Sequence, residues 1–208
     1  MKTVSSAIAP VAFAITLACV SAADVSPARA EAACDVDKPG SELSLMDAAK
    51  LWHCLNEDLV AGYRTGDKRW IPEEFINDYR SWKAASDFPA ASSVHGGRFL
   101  VTFVNPVGEK AYMQFAEEGV KMPEGSVLAK ESYTVDEKGH VAKGPLFIMQ
   151  KVAEGTSPVT GDWYYMAVAP TGEPMAMDVI TACSACHQAS FGKRDGMGYP
   201  KPEARAKP

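Results

Sequence analysis

The sequence predicts an α+β fold, a mainly antiparallel β-sheet flanked by helices and closed by a C-terminal helix. Three observations carry this. A helical period runs through "SLMDAAKLWHCLNEDLVAGYRTGD", strand-like runs recur between residues 98 and 169, and "MDVITACSACHQAS" near the end has room for about three helical turns.

Each element has a local reason. Ser44 followed by Asp47 resembles a capping box, and Leu45, Ala49, Trp52, Leu55, Leu59 and Tyr63 recur at helical spacing toward a core. "PEEFINDYRSWK" reads as a shorter helix or helical turn begun by Pro72. In "GGRFLVTFVNP", Phe99, Val101 and Phe103 alternate with Arg98, Leu100 and Thr102, as in a strand. "NPVGEKAYMQFAEEG" reads as a helix capped by Asn105, with Pro106 at its first position and Gly119 as its end. "GSVLAKESYTV" and "GPLFIMQKV", joined through "DEKGH", predict a hairpin, and "GDWYYMAVAP" predicts a further strand ended by "PTGEP". The tail "GKRDGMGYPKPEARAKP" has many breakers and few apolar residues, so it is expected to be flexible.

With 208 residues, 47% hydrophobic and 23% charged, the chain is globular rather than disordered. A net charge of −5 and the lack of a basic stripe argue against nucleic acid as a partner. Beyond the N-terminus no stretch is long and apolar enough for a stable membrane span. The N-terminus itself reads as a signal peptide over residues 1–30: Lys2, the apolar run "AIAPVAFAITLACV", and small-residue cleavage patterns ending at Ala23 or, preferred, Ala30. A lipoprotein anchor at Cys19 is disfavoured by Thr16, where a leucine is usual. Export implies a periplasmic, oxidising compartment. There a Cys34–Cys54 disulfide is the economical reading, against two buried free thiols.

The chemistry is concentrated in "TACSACHQ". A structural zinc site needs four protein ligands, and His53, His95 and His140 are scattered rather than paired. A thioredoxin-type pair needs a βαβ context, which the hairpins upstream do not supply. Cys-x-x-Cys-His is the c-type haem signature: Cys183 and Cys186 would form thioethers, and His187 would be the proximal iron ligand. One covalently attached haem c is therefore expected. Only Met197 follows, ten residues after His187 in a Gly-rich tail, so an open sixth position is favoured over a methionine-ligated iron. His140 in its turn and His95 before "GG" have no partner at ligand spacing, although His95 could line the haem edge.

The four-helix cytochrome c′ also carries a late motif, but the strand signals at 98–104 and 162–169 argue against it. "YRSWK", "FVNPVGEKAYMQF", "PEGSVLAKE", "FIMQK", "GDWYY" and "CSACH" resemble, in order and spacing, the landmarks of the cytochrome P-460 family. The chain then divides into the signal peptide at 1–30, an N-terminal helical extension at 31–69, a P-460-like haem domain at 70–191 and a flexible tail at 192–208.

The resemblance implies a five-coordinate haem c against the sheet and, in hydroxylamine-oxidising members, a lysine joined to a porphyrin meso carbon. The matching position is Lys130 in "GSVLAKE". By itself Lys130, one of 21 basic residues, would be taken for a solvated strand lysine, and its neighbours leave its face open: Leu128 argues inward, Ser126 and Ser132 outward. A distal base is also expected, and Glu154 is the one carboxylate between Met149 and Asp162. The related cytochrome c′-β branch binds nitric oxide or carries electrons without turnover. It would need an apolar distal cap, for which Phe99, Phe103, Phe115 and Phe147 are candidates. The partners implied are a small nitrogen-containing substrate or gas ligand, a soluble redox partner such as another cytochrome c, and a second copy in a homodimer.

Overall fold

The computed structural model describes residues 34–68 and 70–207. The signal-peptide reading, with Ala23 and Ala30, lies outside the described residues. Helix α1 spans Leu45–Arg64, and Ser44 and Asp47 close a reciprocal capping box at its start. Its buried stripe is Ala48, Leu51, Leu55, Leu59 and Tyr63. Leu45, Ala49 and Trp52, expected at the centre of that stripe, are only partly buried. The short helix α2, Glu73–Asn77, follows Pro72 and leads through a 3-10 turn at Tyr79–Ser81 into the sheet.

The strands are β1 (Lys83–Ala84), β2 (Ala90–Ser92), β3 (Arg98–Val104), β4 (Val127–Val135), β5 (Val141–Lys143), β6 (Leu146–Lys151) and β7 (Trp163–Val168). All pairings are antiparallel, in the order β1-β3-β4-β6-β7, with β2 beside β3 and β5 beside β4. This is the expected α+β arrangement. Helix α3, Pro106–Tyr112, starts at the Asn105 cap as expected but stops well before Gly119. Phe115 adopts φ 48°, which breaks the helical path, and its ring packs edge-on to Tyr112 and Tyr199.

Both faces of the sheet are covered. On one, Phe99, Val101, Phe103 and Ala129 pack against α1 in the larger core, and Cys34 is joined to Cys54 by a disulfide there. Glu131 is buried on this side, accepting from Tyr79, from Arg80 Nη2 at 2.8 Å and from Trp52 Nε1 at 2.7 Å. The other face carries Leu128, Met149 and Trp163 in a second core. A π-helical turn, Val179–Ser184, continues into helix α4, Ala185–Phe191, and lies over this face together with the C-terminal segment.

The tail, expected to be flexible, makes packed contacts over residues 192–207. Met197 and Ala204 are fully buried, Ser86 bridges Arg205, and the Ala206 amide donates to the Ala85 carbonyl at 3.0 Å. These contacts are backbone hydrogen bonds and a few buried side chains rather than an apolar stripe, so composition does not announce them.

Candidate haem site

The motif sits where one helical geometry passes into another. Asp178 caps the π-turn, its carboxylate accepting from the amides of Ile180 at 3.2 Å and Thr181 at 2.9 Å. Such turns are frequent at functional positions because the extra residue re-aims the side chains that follow. The thiols of Cys183 and Cys186 are free and half-buried, and His187 is buried. All three line a cavity between this helix and strands β4, β6 and β7. Leu128, Phe147, Met149 and Met177 contribute to its apolar wall.

His187 Nδ1 lies 2.7 Å from the Gly196 carbonyl. A carbonyl can only accept, so Nδ1 carries the proton and Nε2 is left as the lone-pair nitrogen. Burial, with Lys130 second, pulls this imidazole down to about 4 against the opposing Gly196 bond. The ring is therefore neutral near pH 7, the form that ligates metals.

Lys130 settles a question its neighbours in sequence left open. In register it pairs with Thr102 on β3 and Phe147 on β6, and its side chain lines the same cavity as the two thiols and His187. It is 6% exposed, and its Nζ lies 3.5 Å from the Gly198 carbonyl. Burial, with Arg194 second, lowers the ammonium to about 8. A buried amine this close to neutrality is a usable nucleophile, unlike a solvated lysine.

Two further groups line the cavity: His95, read from sequence as a loop or haem-edge residue, and Tyr165, which the sequence did not single out. His95 ends a 3-10 turn, with its ring 5.0 Å from Phe147 and 6.3 Å from His187. Burial, followed by Lys130 and His187, lowers it to about 3. The signal that could have found it is the "GG" behind it: Gly96 and Gly97 both take positive φ, which turns the chain back into β3. Tyr165 on β7 holds its hydroxyl buried without a hydrogen-bond partner among the described residues.

Other candidates lie elsewhere. Glu154 is exposed in a turn and lines a separate depression with Lys121, Asp162 and Asp195, so it is not placed to act as a base in the cavity. That loop is organised by Asp162, whose carboxylate accepts from the amides of Gly155 and Ser157. Of the four phenylalanines, only Phe147 borders the cavity. Phe99 and Phe103 belong to the core under α1, and Phe115 packs beside Tyr112. Met197 is buried in the second core with Leu128 and Trp163, outside the cavity lining.

Among the described residues, no three His, Cys, Asp or Glu side chains come together as a metal-ion site. The donor set fits a covalently held haem. Two free thiols, one on the π-turn and one on α4, and an imidazole with Nε2 unused open onto one apolar cavity. The family model described as Cytochrome P460 matches residues 76–196, more than half of the chain. No curated protein matches. The matched region takes in β1 to β7 and the motif helix and leaves α1 outside.

Proposed function

This chain belongs to the cytochrome P460 family, and on that premise we propose that it is an exported, mono-haem c-type cytochrome that oxidises hydroxylamine or a related small nitrogen species. Electrons would pass to a soluble acceptor such as another cytochrome c. The observation that carries this reading is the buried amine of Lys130 in the same cavity as Cys183, Cys186 and His187.

When bound, the haem would supply a redox-active iron. The rest falls to the chain's own residues. Cys183 and Cys186 would hold the ring through thioethers, and His187 would present Nε2 to the iron while the Gly196 carbonyl accepts from Nδ1–H. Lys130 is the residue we assign to the meso-carbon bond, since its side chain lies within the cavity wall. Leu128, Phe147 and Met149, which line the cavity, would keep water from the ring. The Cys34–Cys54 bridge agrees with export to the periplasm, and no helix among the described residues is long and apolar enough to cross a membrane.

One observation favours a second reading, a cytochrome c′-β-like protein that binds nitric oxide or carries electrons without turnover. The polar groups of the cavity lining are His95, Lys130, Tyr165, His187 and the two cysteines, with no carboxylate among them. Steady-state oxidation of hydroxylamine with an artificial acceptor separates the two. Turnover above that of free haem is the expected result, and turnover no faster than free haem refutes the enzymatic reading.

A further inference from the structure

The C-terminal segment 192–207 touches two of the cavity's reactive side chains, His187 and Lys130, through its backbone. The Gly196 carbonyl accepts from His187 Nδ1 at 2.7 Å, and the Gly198 carbonyl lies 3.5 Å from Lys130 Nζ while also accepting from Tyr112 at 2.7 Å. Met197 between them is fully buried. The turn that aims Gly196 is held by its predecessor, Asp195, which takes φ 57°.

Asp195 is tied on three sides. Its Oδ1 lies 2.8 Å from Lys151 Nζ, Oδ2 accepts from the Met122 amide at 2.9 Å, and its carbonyl accepts from Trp163 Nε1 at 2.7 Å. Lys151 and Asp195 side chains are 14% and 17% exposed, so their attraction is little screened. Lys151 also donates to the Gly161 carbonyl at 2.9 Å and lies 5.3 Å from the Trp163 ring. The pair therefore links the ends of β6 and β7 to the turn whose Gly196 carbonyl accepts from His187.

We propose that the Lys151–Asp195 ion pair is a positioning device for His187: it fixes the turn so that the Gly196 carbonyl accepts from Nδ1–H, and so sets how strongly Nε2 donates to the iron. A strong bond to Nδ1–H makes the imidazole a better donor, which stabilises the oxidised metal. Loosening the turn weakens that bond. Neither residue lines the cavity.

The inference rests on His187 as the iron ligand, and the test keeps the two apart. Asp195→Asn and Lys151→Met are prepared as haem-loaded proteins, and the ferrous iron–histidine stretching band and the midpoint potential are measured. Both variants should move the band to lower frequency and the potential in the positive direction. Trp163→Phe removes the donor to the Asp195 carbonyl without altering charge, and should shift both readings the same way. Glu117→Gln, which removes the acid facing Arg194 and Arg205 on the outer side of the segment, should leave both unchanged. Folded, haem-loaded Asp195→Asn and Trp163→Phe proteins with wild-type band and potential overturn the proposal. A wild-type protein with no iron–histidine band overturns the ligand assignment beneath it, and the proposal with it.

Discussion

Replacing Arg80 by methionine removes the charge that balances Glu131 while keeping much of the aliphatic bulk. Glu131 is 1% exposed, so its carboxylate cannot turn to water. It would keep only the neutral donors Tyr79 and Trp52. Breaking a buried pair from one side typically costs about 3–5 kcal/mol. The two remaining donors place Arg80→Met near the lower end, about 3 kcal/mol. Glu131→Gln should cost less, about 1–2 kcal/mol, because the Arg80 side chain is 20% exposed and its guanidinium can still reach water and Asn56. The double variant should lose less than the sum of the singles, since the second change removes a partner already stranded. Urea unfolding of the haem-loaded protein, followed by tryptophan emission, measures all three. For a domain of this size about 3 kcal/mol corresponds to a melting shift of roughly 6–12 °C. A loss below about 1 kcal/mol for Arg80→Met, or a larger loss for Glu131→Gln, would refute the view that an uncompensated buried carboxylate dominates.

Lys130→Arg keeps a charge but cannot make the same bond to the ring, so the ferrous Soret band should move from a far-red position to that of an ordinary c-type haem, with hydroxylamine turnover falling alongside. A wild-type protein that already shows the ordinary spectrum refutes the cross-link. Cys34→Ser with Cys54→Ser should cost about 2–4 kcal/mol, read from urea midpoints, and thiols that alkylate in the wild type without prior reduction would contradict the bridge. Asp35, first, and Asp136 raise the His140 imidazole above its usual value, through the 2.9 Å contact to Asp35 and through charge. The stabilisation is therefore fully present below about pH 6.5 and lost as pH rises through the raised folded value. Exchange protection of the Val36 and Val141 amides should fall over that window, and His140→Gln should abolish the dependence.

The sequence by itself determined what depends on neighbours along the chain. The Cys183–Cys186–His187 spacing, the Ser44–Asp47 and Asn105 caps and the strand alternation are local, and local chemistry is enough to read them. The face of Lys130 was not legible because β4 is covered on both sides. Alternation reports burial only where one face meets water, and here Lys130 and Glu131 are both buried, on opposite faces. Glu154 was singled out as the one acid in an interval of sequence, but the Asp162-centred loop carries it away from the cavity. His95 reaches the cavity from a turn separated by many residues from the motif it faces. The tail's order, and with it the Gly196 contact to His187, comes from backbone bonds to distant strands. Backbone groups are the same in every residue, so no side-chain pattern announces which carbonyl will meet which imidazole; only the tertiary structure decides it.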